Sequence, residues 1–199
     1  MRRPRGFEEG IFHIAGHGSD LRHLFVEDRD RIAFLHRLAA ACERYELPLL
    51  SYVLMGTHYH ALLRVRDRSA SHALQWLHTG YSRDHNRRHE RRAHLFRAHP
   101  LARQIESDAH LISSVRYLAR NPVEAGLVDA PLEWRWSSAR AHAGLQRAPI
   151  PLHEHDLEAA FGGTGTWRHR YREEIQKESP PERAFVVAGA GFEPATSGL

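Results

Sequence analysis

The sequence predicts an α+β fold: a split β-α-β-β-α-β antiparallel sheet with helices on one face and a short helical C-terminal extension. Three observations carry the prediction. Short apolar runs that fit strands alternate with longer segments whose apolar residues recur at three- and four-residue steps. Glycine and proline punctuate the boundaries between them. Two strand-like runs also follow one another directly around Gly56, as an antiparallel hairpin requires.

In chain order, "GIFHIAGHG" reads as a strand from about Ile11 to Ala15, closed by Gly16 and Gly18. A helix follows from about Asp28 to Tyr45, with Ile32, Leu35, Leu38, Ala39 and Cys42 as its apolar face, acids in its first turn and Pro48 beyond its end. "LLSYVLM" and "THYHALLRV" form the hairpin pair. Ser71 to about His89 is a second helix built on Leu74, Leu77 and Tyr81, with Arg and His on its outer side. "HLFRAHPLARQIE" reads as a strand or hairpin arm broken by Pro100. Ser107 caps a third helix, "DAHLISSVRYLARN", which is expected to stop at Pro122. "PLEWRWSSARAHAG" and "DLEAAFGG" are short helical packing segments. This order is that of the ferredoxin/RRM-like arrangement. It divides the chain into an N-terminal tail (1–9), a main domain (10–145), a C-terminal packing segment (146–176) and a loosely ordered tail (177–199).

A chain of 199 residues suits one domain plus tails. Cys42 is the only cysteine, which excludes an internal disulfide and a cysteine-based zinc site and fits a reducing cytoplasm. No apolar run approaches the roughly 18 to 20 residues of a membrane span, so no membrane partner is expected. The formal charge is +4, and Lys177 is the sole lysine. The basic residues concentrate in one segment that carries Arg83, Arg87, Arg88, Arg91, Arg92, Arg97 and Arg103. Guanidinium forks suit phosphate, so this stripe is a candidate nucleic-acid surface. The alternative is a solvated face in a chain that uses arginine freely.

The closing "GAGFEPATSGL" contains Gly-Phe-Glu-Pro, which DNA such as GGTTCGAACC encodes in one frame and which resembles the T-loop arm of a transfer-RNA gene. The expectation is a reading frame that runs into a neighbouring transfer-RNA gene, so that this end carries no selected function; sequencing the locus tests it.

Within "GTHYHALLRV", His58 and His60 point to the same face of a strand, about 6 to 7 Å apart, which is close enough to share a divalent ion. In a chain with 17 histidines the pair could also arise by chance. On the third helix Tyr117 lies roughly 160° from the centre of the stripe formed by Leu111, Ile112, Val115, Leu118 and Ala119. Asn121, four residues on, shares its face. Packing would explain the tyrosine and a helix end would explain the asparagine equally well. His13 and His17 lie near enough in sequence pattern to approach the pair, with a solvated or structural role as the simpler reading.

"LLSYVLMGTHYHALL", the Arg-rich helix ending "NRRH", then "AHLF", "YLARNPVEAGLV" and "WRWSSARAHAG" together resemble the HUH-type single-strand DNA transposases, specifically the REP-associated tyrosine transposases, over about residues 10 to 145. The resemblance implies that His58, His60 and Asn121 hold Mg²⁺ or Mn²⁺ and that Tyr117 is the nucleophile, forming a 5′-phosphotyrosine during cleavage and rejoining of single-stranded DNA near hairpins. It also implies a hairpin DNA partner, contacted by the Arg83–Arg103 stripe, and a homodimer. His78, Tyr81 or Trp76 are candidates for stacking on bases, with burial as the alternative, and Tyr81 is a reserve nucleophile.

The chain departs from the family where Gly56 and Thr57 replace a usual Pro-Asn, where His17 stands in for a basic residue, and where "RAHPLARQI" replaces a Gly-Arg-Phe-Lys-like stretch. These changes bear on DNA affinity more than on chemistry. Two other readings stay open: a DNA-hairpin-binding protein without strand transfer, and a water-using metal-dependent phosphodiesterase.

Overall fold

A computed structural model describes residues 9–177, apart from Arg68 and Ala98. The tail reading, including the transfer-RNA gene expectation, lies outside the described residues. The elements are β1 (Gly10–His17), α1 (Asp28–Arg44), β2 (Leu49–Leu54), β3 (His58–Val65), α2 (Ser69–Arg88), β4 (Leu101–Ile105), α3 (Asp108–Glu124), α4 (Ala139–His142), α5 (His155–Ala160) and α6 (Trp167–Glu174). The four strands form one antiparallel sheet in the order β2-β3-β1-β4. The α+β class and the four-stranded antiparallel sheet are as the sequence predicts.

Side-chain alternation along the central strands divides the core between the two faces. Tyr59, Ala61, Leu63 and Val65 of β3 join Phe34, Leu35 and Leu38 of α1 and Leu74, Leu77 and Tyr81 of α2. Leu62 of β3 and Leu50 and Val53 of β2 join Leu111, Val115 and Leu118 of α3, with Leu157, Trp167 and Tyr171 of the C-terminal helices outside them. The two crossover helices therefore share one face, as expected of the split unit, while α3 and the C-terminal helices cover the other. That second layer places α3 over the face that carries His58 and His60.

Three local expectations are corrected. Ile32 is 44% exposed, and the buried face of α1 runs through Phe34, Leu35, Leu38 and Ala41. His85 is buried on α2 rather than on its outer side. Helix α3 runs through Pro122 to Glu124, because a proline in the last turn forfeits only one helical hydrogen bond and this ring is buried. The Trp-x-Trp-Ser-Ser segment has a clear structural use. It lies along the edge of β2, with Leu54 N donating to Trp136 O (2.8 Å), Ser138 N to Tyr52 O (3.0 Å) and the Trp134 indole to Leu54 O (3.0 Å). A strand edge is thereby paired instead of exposed.

Gly16 sits where β1 passes the ring of Tyr59. A Cβ at this position would lie 2.3 Å from Tyr59 Cε1, and Tyr59 is fully buried. Gly16→Ala is expected to lower stability by about 1–3 kcal/mol through overpacking, measurable by urea unfolding.

Candidate histidine–tyrosine site

Register builds the site. His17 pairs with His58, and Ala15 with His60, across the β1–β3 ladder. Residues 13, 15 and 17 of β1 face the same way as 58 and 60 of β3, so four histidines converge on one surface. His13 and His60 share a hydrogen bond, Nε2 to Nδ1, at 2.9 Å. His17 stacks on His58 with ring centroids 5.2 Å apart, and His58 and His60 are 5.1 Å apart edge to face.

Helix α3 supplies the other partners. The Tyr117 ring is 5.4 Å from that of His60 and 5.9 Å from that of His13. The half-buried tyrosine is turned toward the sheet histidines, because α3 is packed on more than one side and its apolar stripe marks only one of them. The Asn121 side chain reaches His58 closely enough to offset part of the depression of that ring's pKa. His58, His60, Tyr117 and Asn121, all candidates from sequence, are therefore brought together from two elements far apart in the chain.

Burial sets the charge of the cluster. Desolvation, reinforced by neighbouring basic groups, lowers His13 to about 3 and His58 to about 4 and holds His60 well below the ordinary histidine value. At neutral pH these rings are uncharged and present lone pairs. Two neutral imidazoles beside a carboxamide form a donor set suited to a divalent first-row ion, with Mn²⁺ accommodated more readily than Mg²⁺. The Gly56-Thr57 departure leaves this arrangement intact: the Thr57 hydroxyl lies 3.2 Å from Nδ1 of His58, and Gly56 O accepts from the backbone of Leu24 and Phe25.

The fold separates the arginines. Arg97 and Arg103 lie beside the histidines: Arg97 N donates to His17 O, Arg103 stands opposite His13 in the β1–β4 ladder, and both guanidiniums help depress the neighbouring rings. Arg83 and Arg87 are exposed on α2, which packs on the other face of the sheet. Arg88 is paired with the fully buried carboxylate of Asp30. Arg92 is exposed and Arg91 half-buried in the connection to β4.

The stacking candidates are occupied elsewhere. Tyr81 is 1% exposed in the core of the opposite face, where its hydroxyl donates to Leu24 O at 2.6 Å, so the reserve nucleophile is a structural residue. Trp76 lies beneath Arg37 and Arg44. His78 stacks on Phe96 at 3.9 Å and bonds the Tyr59 hydroxyl at 2.7 Å. Burial lowers His78 to about 4, so between about pH 4 and 6.5 the folded chain binds fewer protons there than the unfolded chain does. Its contribution is present above pH 6.5 and is lost as pH falls toward 4. His78→Phe is expected to flatten the acid-side stability profile by up to about 1.4 kcal/mol per pH unit, read from urea unfolding at pH 6.5, 5.5 and 4.5.

Sequence reasoning underrated His13 and His17. The available signal was their spacing of four residues on β1, which puts both on one face of the strand; what it lacked was the β1–β3 register.

The fold and this site define a class: a four-stranded antiparallel α+β domain whose central strands carry a histidine cluster, faced by a tyrosine and an asparagine from a covering helix. A solved structure of a REP-associated tyrosine transposase bound to a REP hairpin has the same fold, with a TM-score of 0.62 and 12% identity, covering 77% of this chain and 92% of that one. No family model matches the sequence, and no curated protein does. Among the described residues, no helix is long and apolar enough to cross a membrane.

Proposed function

We propose that this protein is a metal-dependent transposase or endonuclease that cleaves and rejoins single-stranded DNA near hairpins through Tyr117. The observation that carries the reading is the placement of the Tyr117 ring 5.4 Å from that of His60, on the face where Asn121 approaches His58. The hairpin named with the structural neighbour favours a folded nucleic-acid partner.

His58, His60 and Asn121 would hold the divalent ion, which when bound polarises the phosphoryl oxygen and offsets charge in the transition state. Nδ1 of His60 is engaged with His13, so the ring would bind through Nε2. That requires the proton on Nδ1, with His60 donating to His13. The phenolic oxygen of Tyr117 forms the new bond to phosphorus while the bond from phosphorus to the 3′ oxygen breaks. The phenol loses its proton to solvent and the leaving oxygen gains one, giving a 3′ hydroxyl and a 5′-phosphotyrosine. The ester preserves the bond energy for rejoining.

The test incubates purified protein with 5′- and 3′-labelled hairpins from the DNA flanking its gene, with Mn²⁺, Mg²⁺ or EDTA. A denaturation-resistant adduct dependent on metal supports the reading. Hairpin binding without an adduct would identify a binding relative, and metal-dependent cutting without an adduct a water-using phosphodiesterase.

Placement also ranks the arginines. Arg97→Gln and Arg103→Gln are each expected to reduce the slope of log affinity against log salt by about 0.7, as for one phosphate contact on a single strand. Arg88→Gln should leave the slope unchanged, because its charge is spent on Asp30. Filter binding at several salt concentrations checks both.

A further inference from the structure

A second histidine cluster lies on the other side of the sheet. Asp30, His85 and His89 each offer one ligand atom, and these atoms all lie within 4.8 Å of one another. We propose that they form a divalent transition-metal site of the zinc type, separate from His58, His60 and Asn121, which clamps the start of α1 to the end of α2.

The local sequence produces the arrangement. His85 lies in the last turn of α2 and His89 one residue beyond its end, where the His89 N–H still donates to His85 O at 2.9 Å and the two rings are 4.3 Å apart. Asp30 is the third residue of α1. Its Oδ2 accepts from the backbone N–H groups of Val26 and Glu27, and this capping box fixes the carboxylate. His89 Nε2 is already 3.0 Å from both carboxylate oxygens. The observation that points to a ligand is His85. Its side chain is fully buried, yet neither ring nitrogen has a hydrogen-bond partner. A buried imidazole without partners is costly, and coordination would satisfy one nitrogen.

Two imidazoles and one carboxylate are a common donor set for Zn²⁺, with a fourth position left to water. Donors held at about 2.0–2.1 Å around a four-coordinate ion stand roughly 3.3 Å apart, close to the 3.0 Å that already separates His89 Nε2 from the Asp30 oxygens, so the closing movement falls on His85. The opposing group is Arg88, whose guanidinium is 2.5 Å from Asp30 Oδ1 and occupies the oxygen a metal would take. A metal ion and Arg88 therefore compete for Asp30. The proposal thus predicts opposite effects from two neighbouring changes: removing His85 weakens metal binding, and removing Arg88 strengthens it.

The experiment titrates Co²⁺ and Zn²⁺ into the full chain carrying His58→Ala and His60→Ala, which removes the other candidate site. About one equivalent is expected to bind, with the visible absorption of a four-coordinate Co²⁺ site and a rise in Tm with Zn²⁺. Adding His85→Ala or His89→Gln should weaken binding by about tenfold or more, and adding Arg88→Ala should tighten it several-fold. Imidazole nitrogen chemical shifts of His85 and His89 on addition of Zn²⁺ give a reading in the folded protein without altering the cluster. No bound Co²⁺ or Zn²⁺ in that background, or binding that leaves the His85 and His89 shifts unmoved, would overturn the proposal.

Discussion

Tyr117→Phe is expected to abolish the covalent protein–DNA adduct while leaving hairpin affinity within about twofold, because the change deletes the nucleophilic oxygen and keeps the ring. The ring supplies the packing: it lies 5.4 Å from His60 and 5.9 Å from His13 and joins the core beneath α3. Tyr81→Phe is the matched control. It removes the buried hydroxyl that donates to Leu24 O, so a stability loss on the order of 1 kcal/mol is expected with the adduct intact. Denaturing gels of labelled hairpin with each variant, alongside filter binding, separate the two effects. An adduct persisting in Tyr117→Phe would remove this tyrosine from the mechanism. Adduct loss only in Tyr81→Phe would move the chemistry to the opposite face of the sheet, where no histidine of the His58–His60 pair points.

Much of this site was readable before the fold, and the unreadable part has a physical cause. His58 and His60 declare a shared face through the two-residue period of a strand, and Tyr117 and Asn121 through the four-residue neighbourhood of a helix. Both patterns are local. That Tyr117 turns toward the histidines was not local: the apolar stripe of α3 placed it roughly 160° from the stripe centre, and packing of the helix on several sides makes that direction a second buried surface. His13 and His17 depended on a long-range register, which sets histidine opposite histidine at His17 and His58. The positions of the arginines were not local either. The run from Arg83 to Arg103 is continuous in sequence, but it crosses from α2 on one face to β4 at the sheet edge, so only its last members lie near the histidines. Pro122 misled because its effect depends on depth within the helix, and the last turn tolerates it.

Removing His60 is expected to cost the most after Tyr117, and the size of the loss distinguishes a catalyst from a hairpin binder. His60→Ala deletes a proposed ligand that is 3% exposed and buried beside His13, so adduct formation should fall by about a thousandfold or more, with hairpin binding little changed. His13→Ala should cost less, about 10–100-fold, because it leaves the ligand in place but takes away the partner that fixes its ring and proton. The two losses should also differ in kind. A weakened ion site is refilled by mass action, so raised Mn²⁺ should restore much of the His13→Ala activity and little of the His60→Ala activity. His13→Gln, which keeps an acceptor for the Nδ1 proton, should lie nearer the wild type. A purely structural role for His13 predicts instead a stability loss that Mn²⁺ does not repair, and unfolding curves taken on the same preparations show which has occurred. A protein that only binds hairpins has no use for this second layer. Its His60 and His13 variants would lose stability together, and neither would show a metal-dependent step to rescue.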